Sequence, residues 1–343
     1  MPTPNPATSL RLGFAAMPET PAHHLSVDGM TPLGPNLSHW PGNRTPGRWK
    51  ADLSTGIALE FARANPDEQR DFLAGAEVVL NDHYDTDGFL SLLAILRPEV
   101  AFAREELCLA AAATGDFGVF GTWRAFAIDR IVARLTLHSL TGMTDAERSF
   151  ERYRWLLANA EDVLDRPERF EELWREAFEQ VRDEFEAARS GGIERQLHHD
   201  AQLSVLHTDG PRHRMTLNTL AKAYRVLHVQ HDRDGTRYRY HDRTESWFEL
   251  ATIEPPPRRD LKPLAARLQE LEGPAAASRW CADPPSEPIP ELYFGIPSTQ
   301  HYGQITRVLT PSRLPSDVVE RELLDLFRTS AERPDAARKP RER

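Results

Sequence analysis

The stretch Glu77-Val-Val-Leu-Asn-Asp-His-Tyr-Asp-Thr-Asp-Gly-Phe-Leu-Ser91 sets His83, Asp85 and Asp87 at i, i+2 and i+4, with Gly88 directly behind them. With a glycine to let the chain turn, one imidazole and two carboxylates can converge on a point. Donors of that kind suit a hard divalent cation such as Mg²⁺ or Mn²⁺. A calcium loop, D-x-[DN]-x-[DN]-G-x₅-E, fits poorly: it puts His83 first and Ala94 where the bidentate Glu belongs. The plain structural alternative is that Thr86 or Asp87 caps a helix, Asp85 is solvated and His83 packs locally.

The elements that must present these residues read as a short apolar strand, Glu77–Leu80, a polar loop over 83–88 and an apolar helix, Phe89–Leu96. In an α/β sheet such a turn lies at the carboxyl end of the strand, where ligands bind. An earlier strand is predicted at His24–Val27, ending in Asp28-Gly29, which on its own is a turn signal. Then come Asn36-Leu-Ser-His39-Trp40 and a loop carrying Asn43, Arg44 and Lys50. The bland reading of His39-Trp40 is a loop over the core, with Trp40 packed and His39 bonded to backbone. A helix through Ile57–Ala62 follows, capped by Asp52 or Ser54 and closed at Asn65-Pro66. Further on, Pro98 opens a helix over Glu99–Ala113 with Gly115 as its expected cap. Asp116 follows, read from its surroundings alone as a cap or turn residue.

His-x-Asp-x-Asp-Gly between an apolar strand and an apolar helix with Ser91 near its start resembles the first motif of the DHH phosphoesterase superfamily. That group includes RecJ-like nucleases, oligoribonucleases, cyclic-dinucleotide phosphodiesterases and manganese pyrophosphatases. Val27-Asp28-Gly29, Leu37-Ser38-His39 and Asp52-Leu-Ser54-Thr55 resemble its later series: an Asp at a strand end, the Asp-His-His motif and a helix starting near Ser-Ser-Thr. Here they precede the His83 motif, which implies a circularly permuted domain, an arrangement open sheets tolerate because termini lie at the surface. Asn36-Leu-Ser-His39 lacks the leading Asp and one of the two histidines. The resemblance implies two Mn²⁺ or Mg²⁺ ions held by Asp28, His83, Asp85, Asp87 and Asp116, the last in the place of the family's metal-bridging Asp. It implies His39 as a ligand or as the acid for the leaving oxygen, and Asn43, Arg44 and Lys50 as phosphate-orienting groups. The whole chain also resembles an uncharacterised bacterial family carrying this motif, which adds no activity.

At 343 residues the chain has room for two cores, and 40% hydrophobic with 27% charged residues suit a globular protein. The 27 prolines imply long ordered loops or tails. A net charge of −10 argues against coating long nucleic acid. No apolar run approaches the roughly 20 residues that span a bilayer, and the Met-Pro-Thr-Pro-Asn-Pro start has neither the basic beginning nor the apolar block expected of a signal peptide. Cys108 and Cys281 suggest neither a disulfide framework nor a zinc knuckle. The expectation is a cytoplasmic protein with no membrane partner and a small phosphorylated or nucleotide substrate. Without G-x-S-x-G, a Walker loop or G-x-G-x-x-G, the usual triad, P-loop and dinucleotide readings fall away.

The expected architecture is α/β, with a mainly parallel sheet and flanking helices, a helical connector and a smaller α+β lobe with an antiparallel sheet. Its parts are a flexible leader (1–20), a DHH-like metal-binding domain (21–143), the connector (144–192), a substrate-covering lobe (193–330) and a disordered tail (331–343). In the connector Thr144-Asp-Ala-Glu147 reads as a capping box ahead of two amphipathic helices, Glu147–Leu164 and Pro167–Ala188. In the lobe we expect a strand at Leu197–His207, a short helix at Leu217–Tyr224, and a hairpin joining Arg225–His231 to Thr236–His241. A third strand is expected at Ser246–Thr252 and a helix at Leu261–Leu271. Surface-wrapping sequence from Gly273 and a last helix near Pro315–Ser330 complete it. His198, His199, His207 and His213 match no familiar zinc spacing. Lys222 and Arg225, with Arg237 and Arg239 alternating onto one strand face, form either an anion-facing surface or a solvated edge. The expected activity is metal-dependent hydrolysis of a small phosphoester or short nucleotide. The rivals are a DHH-like binding or scaffold protein without turnover and a one-cation isomerase or lyase.

Overall fold

A computed structural model describes residues 6–17, 20–137, 140–274, 277–301 and 304–328. The expected tail, 331–343, and the first residues of the expected leader lie outside them. The chain forms two compact units, residues 1–183 with 247–254, and 184–246 with 255–343.

The first unit is built on an all-parallel sheet of β1 (Arg11–Phe14), β2 (Leu25–Val27), β3 (Asn36–Leu37) and β4 (Val78–Asn81), in the order β1-β4-β2-β3. β1 lies inside the stretch expected to be a leader; it pairs with β4 from Arg11↔Val78 to Phe14↔Asn81, and Phe14 is buried. All residues of β2, β3 and β4 are buried, as in parallel sheets covered by helices.

Between β3 and β4 stand α1 (Ser54–Arg63) and α2 (Pro66–Leu73). Asn65-Pro66 does close α1, but it also starts α2: the Asn65 side chain accepts from the amides of Asp67 and Glu68, and Pro66 occupies the first turn. After β4 comes α3 (Thr86–Leu96), buried from Thr86 to Ile95, a helix apolar on all sides that forms the centre of the core. The single helix expected over 99–113 is two, α4 (Pro98–Phe102) and α5 (Glu105–Asp116), broken at Ala103-Arg104. α5 runs through Gly115 to Asp116. Gly115 is therefore no cap: a Cβ there would sit 3.0 Å from Asp129 Oδ1 and 3.2 Å from Thr86 Cβ, so it permits a close approach. α6 (Trp123–Arg134), α7 (Asp145–Ala158), α8 (Ala160–Asp165) and α9 (Arg175–Arg189) follow, and Thr144 with Glu147 forms the expected capping box on α7. Tyr153, Leu156, Val163 and Leu164 are fully buried in the same core, so α7 and α8 belong to this unit.

The second unit holds a seven-stranded sheet: β5 (Ile193–His198), β6 (Leu203–Asp209), β7 (Arg225–Asp232), β8 (Gly235–Asp242), β9 (Arg279–Ala282), β10 (Glu291–His301) and β11 (Gln304–Leu309). Its order is β11-β10-β8-β7-β6-β5 with β9 on β10, antiparallel except for β6 with β7. α10 (Arg214–Ala221), α11 (Lys262–Glu272) and α12 (Ser316–Arg328) complete it. The β7–β8 hairpin lies where the sequence placed it. The strand expected over 197–207 is two, and three strands follow Gly273 where only surface wrapping was expected. Residues 246–252 are not a strand; after a turn at Thr244–Ser246 the chain enters the first unit as an irregular strap, for reasons that lie in the site. Among the described residues no helix is long and apolar enough to cross a membrane.

Candidate metal centre

The carboxyl ends of β2, β3 and β4 meet at one rim of the parallel sheet. The chain passes outward from β2 to β3 and then returns to β4 on the other side of β2, and a ligand crevice opens at such a reversal. Asp28 leaves β2 with φ +62°, a left-handed conformation Asp tolerates. Its amide donates to Leu37 O at 2.9 Å. The next residue must be glycine, because a Cβ on Gly29 would lie 1.8 Å from Asp82 Oδ1. Gly29 N instead donates to Asn81 Oδ1 at 3.0 Å and Met30 N to Asp82 Oδ2 at 3.2 Å, which locks the β2 and β4 ends together.

His39 follows β3 and is fully buried. Its Nδ1 lies 2.8 Å from Asp52 O. A carbonyl only accepts, so Nδ1 carries the hydrogen and, in the neutral ring, Nε2 presents a lone pair. That lone pair faces Asp116 Oδ2 at 3.2 Å, Asp28 Oδ1 at 3.7 Å and Asp87 Oδ2 at 3.8 Å. Among the described residues neither His39 Nε2 nor Asp28 Oδ1 has a hydrogen-bond partner, although both are buried. Asp87, in the first turn of α3, is also fully buried and accepts from Ser54 N at 2.8 Å and Thr55 N at 2.7 Å, at the positive end of α1. Asp116 is the last residue of α5.

A second group adjoins the first. His83 Nε2 lies 3.0 Å from Asp28 Oδ2 and 2.9 Å from Asp85 Oδ2, while Asp82 Oδ1 holds its Nδ1 at 2.8 Å. Asp85 is the true cap of α3: its Oδ1 accepts from Gly88 N at 2.8 Å while Oδ2 faces His83. Capping and ligation are not rivals here, since one carboxylate oxygen serves each. Gly88 has helical backbone; it is required because a Cβ would lie 2.1 Å from Asn81 Nδ2 and 2.5 Å from the Tyr153 hydroxyl. That hydroxyl donates to His83 O at 2.9 Å and accepts from Asp85 N at 3.1 Å, which fixes the loop from α7.

Asp28, His39, Asp87 and Asp116 offer donor atoms all within 4.8 Å of one another, and so do Asp28, His83 and Asp85. All six residues named from the sequence thus meet, and the residue common to both groups is Asp28; Asp116 belongs to the first group only. Packing these acids together raises proton affinity. Burial first, then Asp85 and Asp87, pushes the Asp28 carboxyl up to about 6 despite His83. Asp116 is raised well above the usual range by burial, then by Asp87, Asp85 and Asp28. Burial opposes charging His83, but Asp85 and Asp28 outweigh it and raise its pKa well above the ordinary value. Asp85 is lowered: burial opposes, and the His83 charge and hydrogen bond prevail.

Asn43, Arg44 and Lys50 are engaged elsewhere. Arg44 Nη2 donates to Thr31 O at 2.9 Å and Gly34 O at 3.0 Å. Asn43 Nδ2 and Lys50 Nζ reach Glu249 Oε2 at 2.9 and 3.2 Å. Glu249 belongs to the strap Trp247–Glu254, which explains why the alternation there makes no strand. Its amide groups are taken by the site's own loops: Glu249 N donates to His39 O at 2.7 Å, and Ala251 N and Thr252 N donate to Asp52 Oδ1 at 2.7 and 2.8 Å. Phe248 stacks on the His39 ring at 3.8 Å, and Trp247 meets Trp40 edge-on at 5.0 Å. The strap, Asn81, Asp82 and Tyr153 are site residues that the sequence did not announce. Tyr153 looks like any apolar-stripe aromatic, and residues 247–252 lie some two hundred positions from the loops they bind.

The fold and the site together define an α/β protein with a buried aspartate–histidine cluster at the rim of a parallel sheet. The chain belongs to a family of unknown function, DUF6687, whose model matches residues 11–338. Neither the curated proteins nor the solved structures compared with it gave a match.

Proposed function

We propose that this protein is a divalent-metal-dependent hydrolase acting on a small phosphoester or short nucleotide. The observation that carries the reading is the buried Nε2 of His39, turned toward three carboxylates and, among the described residues, without a hydrogen-bond partner. Buried acceptors facing one another are costly unless a cation or protons stand among them. The donor set, carboxylate oxygens with one imidazole in each group, suits Mn²⁺ or Mg²⁺. Asp28, His39, Asp87 and Asp116 would hold one ion, and Asp28, His83 and Asp85 a second, with Asp28 shared. A bound pair of such ions lowers the pKa of water and neutralises phosphoryl oxygens during in-line attack.

The chain's own residues supply orientation. Asp52 O and Asp82 each take an Nδ1 hydrogen, which turns the two Nε2 atoms inward, as outer-shell partners of ligating histidines do. His39 is accordingly read as a ligand, not as the acid. Phe248 on its ring excludes water from that side. The test is Mn²⁺-dependent hydrolysis of a generic phosphodiester by wild type and Asp87→Ala. Metal-dependent turnover lost in the variant supports the reading; turnover unchanged in Asp87→Ala sinks it. A binding or scaffold protein is the second reading, favoured by the engagement of Arg44 and Lys50, the two cations expected to orient a phosphate, with other partners. Metal uptake without turnover on any phosphoester would select it.

A further inference from the structure

The second unit's sheet has an apolar face and a polar face, and the polar face gathers arginines. Alternation along β8 turns Tyr238 and Tyr240 into the core, while Arg239 and His241 share the opposite face with their register partners His228 and Val226. α10 lies on that face: Leu217 and Ala221 pack with Leu206 and Val226, and Asn218 Oδ1 lies 2.8 Å from His241 Nε2. Arg214 stands at the first residue of α10 and Arg243 just beyond β8.

These cations are short of acids. Arg214 is exposed and, among the described residues, makes no hydrogen bond or ion pair. Arg239 has Glu291 at 3.2 Å, an acid it shares with Arg307, also at 3.2 Å. The Nε of Arg212 is buried without a hydrogen-bond partner among the described residues, while that of Arg239 is the atom facing Glu291. Arg243 is paired with Glu245, and Arg237, on the same face, is satisfied by Asp232 and Asp234. Arg212, Arg214, Arg237, Arg239 and Arg243 therefore face Asp232, Asp234, Glu245 and Glu291, a surplus of one positive charge in a chain of net charge −10. Beneath them two histidines are kept neutral. Burial, then Arg239 and Arg212, lowers His228 to about 4; burial, then Arg214, Arg239 and Arg243, lowers His241 well below its ordinary value.

We propose that this face is a binding site for a phosphate-type dianion, held by Arg214 and Arg239 with Arg212 and Arg243 alongside. Guanidinium forks suit such an oxyanion. The site lies wholly in the second unit and does not rest on the metal reading.

The test is titration of the full chain with inorganic phosphate in EDTA at constant ionic strength, read by calorimetry. Saturable binding is expected, weakened about tenfold or more by Arg214→Ala and by Arg239→Ala, less by Arg214→Lys, and unchanged in Asp28→Asn. Arg214 is exposed, so its two variants carry the test even if Arg239→Ala misfolds. No saturable binding in EDTA overturns the proposal, as does equal affinity in wild type and Arg214→Ala. Binding that appears only with Mn²⁺ and vanishes in Asp28→Asn would place the anion at the acidic cluster and also overturn it.

Discussion

Asp28 carries two opposed duties. It ends β2, and it is the carboxylate common to both donor groups. Its carboxyl stands at about 6 in the folded chain against an ordinary 3.8, so between those values the folded state binds more protons than the unfolded one. The stability it contributes is therefore present at low pH and is lost as pH rises through about 6. In EDTA at neutral pH, Asp28→Asn is expected to melt no lower than wild type, and to lose the rise in Tm that Mn²⁺ gives wild type. A drop in the EDTA Tm of Asp28→Asn with the Mn²⁺ response intact would mean the carboxylate is merely structural. His83, whose pKa is raised by Asp85 and Asp28, must shed a proton to ligate. Calorimetric Mn²⁺ titration in buffers of different ionisation enthalpy should report proton release. A heat independent of buffer would count against His83 as a ligand.

The elements explain what could be read in advance. That the His83 motif, Asp28, His39 and Asp116 meet was legible because polar residues at strand and helix ends leave short signatures next to apolar runs. β1 and the two-residue β3 were not, being too short for periodicity, and β10 was obscured by Pro297 and its Pro-rich flanks. Trp247-Phe248 reads as strand because alternation cannot say that the backbone amides beyond it are taken by Asp52. Of the arginine face proposed to bind an anion, Arg239 was visible by alternation, but Arg225 proved buried, bonding Ala201 O and Pro257 O. Asp52→Ala should free the strap. Faster hydrogen exchange at residues 247–252 is expected, while the Asp52 main-chain carbonyl that takes the His39 Nδ1 hydrogen stays in place. Exchange unchanged from wild type would show that the strap is held by its aromatic contacts alone. In the second unit, His228 titrates at about 4 against 6.5, so the unfolded chain binds more protons between those values. Stability there is lost as pH falls from 6.5 toward 4, by on the order of 3 kcal/mol. His228→Gln should flatten the fall in Tm over that range; an unaltered slope would remove His228 as its cause.

At the scale of the whole molecule, the parallel sheet brings together aspartates and histidines that the chain spreads from residue 28 to residue 116. The architecture expected from the sequence, a parallel-sheet unit with helices and a second, largely antiparallel unit, is the one observed. What the alternation of residue types could not give is that the segment 247–254 belongs to the first unit. The central claim is that the cluster around Asp28 holds two divalent cations, and elemental analysis of Mn²⁺-loaded, gel-filtered protein tests it most directly. Two Mn²⁺ per wild-type chain are predicted, with retention lost in Asp28→Asn. A wild-type chain that keeps no Mn²⁺, or an Asp28→Asn chain that keeps as much, would contradict it.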